Sequence, residues 1–126
     1  MRAAALYART ATVNQEEVNP AMALQLDALR AYAARRGMTI IAEFTDAGYS
    51  GLRRDRPALD RMRALAECRS LDVLLTCGPE RLARDWELLV RLREELKRWG
   101  VETIFLEDGA ASGSALPRRG RTESFR

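Results

Sequence analysis

Apolar positions along the chain fall into two alternating kinds of segment. Short, mainly apolar or β-branched runs at Ala3–Ala8, Thr39–Phe44, Asp72–Thr76 and Val101–Leu106 read as strands one to four. Between them, apolar residues recur at three- and four-residue spacing. Met22, Leu26, Leu29 and Ala33 form one stripe, and Gly37 follows as a C′ stop. Pro57, a common first helical residue, opens a second helix with Leu59, Met62, Leu65 and Ala66 on one face. Asp85 is placed to cap a third, whose stripe is Leu88, Leu92, Leu96 and Trp99 and whose stop is Gly100. Glu87–Arg91 and Glu94–Arg98 are spaced to support that helix as i,i+4 pairs.

Strands alternating with helices predict an α/β fold of three layers, α/β/α, around a mainly parallel sheet. Strands that are apolar throughout, rather than alternately, fit a sheet covered on both faces. No internal repeat is visible. From Asp108 the composition turns to Gly, Ser and Arg with little periodicity, so residues 1–107 are expected to form the domain and residues 108–126 a flexible basic tail.

Composition narrows the chemistry. The 126 residues are 47% hydrophobic and 31% charged, in the range of a globular domain large enough for its own core. There is no histidine, which removes Ser-His-Asp catalysis and His-metal sites. Cys68 and Cys77 alone make neither a disulfide framework nor a four-ligand zinc site. No run is long enough to cross a membrane, and the apolar stretch in MRAAALYAR is too short for a signal-peptide core, so a reduced cytoplasmic setting is expected. The net charge is only +3, but all 21 basic residues except Lys97 are arginine. Arginine grips phosphate with a planar fork that lysine lacks. A GC-rich genome also writes arginine for lysine, so position has to decide.

Ligands of open parallel sheets bind beyond the carboxyl ends of the strands. The segments there are YARTATVNQ, with Arg9, Thr10, Thr12 and Gln15; DAGYSGLRRDRP, with Asp46, Ser50, Arg53, Arg54 and Arg56; CGPERLARD, with Glu80, Arg81 and Arg84; and LEDGAASGS. Like charges gathered at one edge are costly unless an anion sits among them, and phosphate suits that place. Plainer roles exist for each: Arg9 pairing with Glu80, Arg53 and Arg54 as solvated loop residues, Gly48, Ser50 and Gly51 as turn chemistry, Asp72 as a local strand cap. The residues alone describe an anion-binding α/β domain.

The ordered set Tyr7-Ala8-Arg9, Asp46…Ser50-Gly51…Arg56-Pro57 and Asp72…Glu80-Arg81-Leu82-Ala83-Arg84 resembles the catalytic domain of the serine recombinases, the resolvase/invertase and large serine integrase family. The resemblance covers roughly residues 2–107. It implies a reaction in which a serine attacks the scissile DNA phosphate, forms a 5′-phosphoserine link and reverses after strand exchange, with no metal or other cofactor. Arginines then carry the charge stabilisation that a metal ion supplies elsewhere. By matching motifs, Arg9, Arg56, Arg81 and Arg84 would be the phosphate set. Gln15 and Gln25 would be polar site residues, and Ser50 and Gly51 would belong to the mobile loop after strand two.

Three departures stand out. The nucleophile position holds Ala11, which has no oxygen to form the intermediate, and Thr10 or Thr12 would point elsewhere on an extended backbone. Glu80 stands where the family usually has aspartate. The long helix and DNA-binding domain that follow in the family are not visible. The expectation is a recombinase domain without cleavage activity that contacts DNA weakly through its arginines. It would pair weakly with itself or with another recombinase, and have no membrane partner. The alternatives are a non-catalytic interaction module on the same fold, and a different enzyme using Thr12 or a metal held by Asp46, Glu80, Glu107 and Asp108.

Overall fold

The computed structural model describes residues 2–10, 20–47, 57–83 and 85–106. Four strands, β1 (Ala3–Thr10), β2 (Thr39–Ala47), β3 (Val73–Thr76) and β4 (Glu102–Phe105), pair in parallel in the order β2-β1-β3-β4. Helices α1 (Pro20–Arg35), α2 (Pro57–Glu67) and α4 (Trp86–Arg98) connect them, and a one-turn helix α3 (Pro79–Leu82) follows β3. The three-layer parallel arrangement is the one the alternation predicts. β1 and β2 each run further than their apolar runs, β3 and β4 less far, and α3 carries no periodic signal that a single turn could show.

Side-chain alternation along β1 divides the interior in two. Ala4 and Leu6 pack with Leu29, Tyr32 and Ala33 of α1, joined by Val73, Leu75 and Ile104. Ala5 and Tyr7 pack on the opposite face with Ala58, Leu59, Met62 and Ala66 of α2, Leu89, Leu92 and Leu96 of α4, and Leu74 and Phe105. The α4 stripe is rotated from the expected one: Leu89 is buried, while Leu88 and Trp99 only flank the cluster. In α2, Ala58 is buried and Leu65 lies at the margin.

One irregularity in β2 changes which face its residues serve. Ala4 pairs with Ile40 but Ala5 with Ala42, so Ile41 is an extra, bulged residue, and it is exposed. A one-residue slip sends every later side chain to the other face. Ile40 accordingly packs on the α1 side and Phe44, four residues on, against the α2–α4 side. Without the bulge both would share a face.

The three long helices end alike. Met38 N–H donates to the Ala33 carbonyl and Gly37 N–H to that of Ala34. Ser70 and Arg69 do the same to Leu65 and Ala66, and Val101 and Gly100 to Leu96 and Lys97. These are Schellman caps, which need a left-handed residue at C′. Gly37 (φ 68°) and Gly100 (φ 81°) supply it freely; in α2 it is Arg69 (φ 62°). Asp85 caps α4 as expected, accepting from Glu87 N–H at 3.2 Å. Asp72 acts across the sheet rather than locally: its Oδ2 accepts from Ala3 N–H at 2.8 Å. Among the described residues, the Glu87–Arg91 and Glu94–Arg98 pairs do not close; instead Glu95 of α4 takes both Nε and Nη2 of Arg63 on α2, at 2.9 and 2.8 Å. No described helix is long and apolar enough to cross a membrane.

These caps predict that Arg69→Gly stabilises the domain by about 1 kcal/mol and that Gly37→Ala destabilises it by about as much, since a Cβ at Gly37 meets open space and the cost is purely backbone. Urea unfolding of the three proteins checks both signs. On the surface, Arg30 grips both oxygens of Glu43, at 2.8 and 2.7 Å, and this hydrogen-bonded guanidinium holds the Glu43 carboxyl below its ordinary 4.5. A carboxyl depressed on folding contributes stability above its unfolded pKa and loses it as the pH falls through the folded value. Glu43→Gln is therefore expected to lower stability slightly at neutral pH, with the difference from wild type shrinking to nothing in acid, as read from thermal melts across a pH series.

Candidate functional site

The carboxyl ends of β1 and β3 meet α1 and α3 at one corner of the sheet. β1 ends in two buried polar residues, Arg9 and Thr10, where a strand buried on both faces would ordinarily stay apolar. Arg9 is 3% exposed. Its guanidinium turns to α3, Nε donating to the Arg81 carbonyl at 3.0 Å and Nη2 to the Glu80 carbonyl at 2.6 Å. Arg81, half-buried, answers with Nη1 donating to the Arg9 carbonyl at 3.2 Å. Each arginine thus holds the other's main chain. The reading in which Arg9 pairs with Glu80 gives the right neighbour and the wrong group: the bond goes to its carbonyl, and the Glu80 residue is exposed.

Gln25 completes the corner from α1. Its Oε1 accepts from Arg9 N–H at 3.2 Å and its Nε2 donates to the Arg9 carbonyl at 3.0 Å, so the side-chain amide pairs with the Arg9 main chain as a neighbouring strand would. Gln25 is 6% exposed. Its apolar neighbours on α1 gave the helix away, but only its burial explains a glutamine facing the sheet. Cys77, just after β3, lies with Sγ 3.8 Å from the Gln25 carbonyl. Arg9, Gln25, Glu80 and Arg81 are therefore brought together. Ala11, Gln15, Ser50, Arg56 and Arg84 lie outside the described residues, as do Thr12, Arg53, Arg54, Glu107 and Asp108.

Asp46, at the end of β2, is the residue whose part the sequence did not reveal. It is buried, with Oδ1 accepting from Ala58 N–H at 2.9 Å and Oδ2 from Leu59 N–H at 3.1 Å and from the Tyr7 hydroxyl at 2.8 Å. Those amides are orphan donors of the first turn of α2, and a carboxylate beside them also opposes the positive end of the helix. Its oxygens face N–H and O–H donors, the reverse of the surroundings a cation would need, so Asp46 does not serve the metal-ligand set considered from the sequence. The corner as a whole offers a buried arginine and a half-buried one in fixed orientation, a geometry that suits an anion with several oxygens.

The chain matches the family Resolvase, N terminal domain, over residues 4–121. It is 26% identical over 102 residues to a Bacillus subtilis (strain 168) protein named "Putative DNA recombinase"; the match takes in 81% of this chain and 20% of that protein, so the chain spans about a fifth of its length. Among solved structures, the N-terminal catalytic domain of TP901-1 integrase superposes with a TM-score of 0.76 at 30% identity, covering 83% of this chain and 78% of the other. A resolvase family site-specific recombinase from Streptococcus pneumoniae gives 0.75 at 26%, covering 86% and 74%. The C-terminal catalytic domain of ISC1926 TnpA, an IS607-like serine recombinase, gives 0.75 at 28%, covering 82% and 70%. With the parallel four-strand sheet and the family match in agreement, the chain belongs to the Resolvase, N terminal domain family and has the fold of serine recombinase catalytic domains.

Proposed function

We propose that this chain is a serine recombinase catalytic domain that binds the DNA backbone at the β1–α3 corner and does not cleave it. The observation that carries the reading is the reciprocal bonding of Arg9 and Arg81, which fixes two guanidinium groups side by side at the carboxyl edge of the sheet, Arg9 buried and Arg81 half-buried. Arg81, the better exposed of the two, meets the phosphate first, with Arg9 behind it. Arg56 and Arg84, by their motif positions, complete the set, and Gln15 and Ser50 supply polar contacts. Glu80 keeps the charge of the family's aspartate on a side chain one methylene longer. Cleavage fails because Ala11 stands at the nucleophile position and offers no oxygen to the phosphorus.

A partner follows from the same reading. The family acts on DNA through assemblies of subunits, and a chain that binds phosphate without cutting would pair weakly with itself or occupy one place beside an active recombinase. The interaction-module reading is favoured by Ala11 and differs in one respect: its partner surface does not need the arginines.

Two outcomes are expected. Titrating the isotope-labelled protein with a short duplex at low salt shifts the Arg Nε–Hε signals of Arg9 and Arg81. Arg81→Ala weakens that binding by roughly tenfold, as loss of a charge-assisted hydrogen bond does, and added salt abolishes it. Duplex that leaves these signals unmoved would falsify the phosphate-binding reading. Ala11→Ser, in a chimera carrying the long helix and DNA-binding domain of an active relative, gives a covalent protein–DNA adduct on denaturing gels, whereas the Ala11 chimera gives none. An adduct from the Ala11 protein would show that another hydroxyl serves as nucleophile.

A further inference from the structure

We infer that Asp46 is a positioning residue of the phosphate site: through its carboxylate, the start of α2 is tied to the strand that carries Arg9. The inference rests on the phosphate-binding reading above and extends it to a residue that touches no substrate. Three observations meet at this side chain. It is buried at 3% exposure, with donors from two separate elements, Tyr7 of β1 and the Ala58 and Leu59 amides of α2, on its two oxygens. In the parallel register Asp46 stands opposite Arg9, and Tyr7 lies two residues before Arg9 on the same strand. The bulge at Ile41 is what turns Asp46 towards α2, since Phe44, two residues earlier, packs on that face.

The consequence is mechanical. A carboxylate that satisfies the first free amides of a helix fixes where the helix begins, and Arg56 precedes Pro57 directly in the sequence. The same carboxylate fixes the Tyr7 ring beneath the end of β1. One group therefore sets the spacing between the Arg9 main chain and the root of α2, and phosphate binding depends on that spacing. A carboxylate used only for stability would leave the folded protein's affinity untouched when replaced.

The test compares wild type, Asp46→Asn, Tyr7→Phe and Met62→Val, each titrated with inorganic phosphate while Arg Nε–Hε signals are followed. Met62 is buried in the same cluster but makes none of the three bonds, and so controls for lost packing and stability. Asp46→Asn keeps the shape but loses the charge and an acceptor. It is expected to shift the Arg9 and Arg81 signals before any phosphate is added and to weaken binding by roughly tenfold, the usual size for loss of a group that orients a ligand's partner. Tyr7→Phe is expected to shift the same signals less and to weaken binding less, and Met62→Val to leave affinity unchanged. Normal phosphate affinity and unmoved arginine signals in a folded Asp46→Asn overturn the inference while leaving the site intact. An equal loss of affinity in Met62→Val overturns it too, because the effect would then be general. A wild type that binds no phosphate sinks the site itself, and this inference with it. Where Asp46→Asn does not fold, Tyr7→Phe decides: unchanged signals and affinity there count against the inference.

Discussion

The arrangement depends on a single strand being covered on both faces. β1 pairs with a neighbour on each side, β2 and β3, and from Ala4 to Thr10 every one of its residues is buried. With no solvent face, its alternation has to serve two cores at once, small residues and Leu6 towards α1, Ala5 and Tyr7 towards α2 and α4. A strand in that position is held in register from both sides. Whatever it carries at its carboxyl end is delivered to a fixed place, and what it carries is Arg9. Burying a guanidinium there is tolerable only because its donors find oxygen acceptors, and the acceptors are carbonyls of the turn after β3. The corner is therefore the way the sheet closes its top edge.

The same logic explains why β2 carries a bulge. An edge strand paired to β1 without interruption would keep Ile40 and Phe44 on one face and put Asp46 there with them. The extra residue at Ile41 lets one strand contribute to the α1 core at its start and to the α2–α4 core at its end. Asp46 then arrives where the unpaired amides of α2 need an acceptor. A local irregularity in pairing thus settles a contact between layers.

Much of this was legible in the chain and some was not, for definite reasons. Leucines and alanines at helical spacing announced α1, α2 and α4, and glycines announced the ends of α1 and α4, because those signals are local. The end of α2 was silent because Arg69 does the work of glycine there. The bulge was silent because Ile41 looks like any other strand residue and the offset exists only relative to β1. The stripe of α4 was read one residue off at Leu88, since which side of a leucine-rich helix faces inward depends on where α2 lies. Asp46, Asp72 and Gln25 were visible as polar residues near strand ends. Their partners, at sequence separations from 12 to 69, were not.

The structure also changes what the arginines mean. On sequence grounds, arginines kept around a missing nucleophile argue for a site still in use. Arg9 and Arg81, however, each hold the other's main chain, so losing Arg9 would take a donor from the Glu80 and Arg81 carbonyls, losing Arg81 would leave the Arg9 carbonyl to Gln25, and either loss would loosen the top of the sheet. Their presence follows from folding whether or not phosphate is ever bound. The informative residues are those whose side chains contribute least to the core. Glu80 is the described example: exposed and lending Arg9 only its carbonyl, it is not pinned by packing. A side chain in that position answers to whatever meets the corner from solvent.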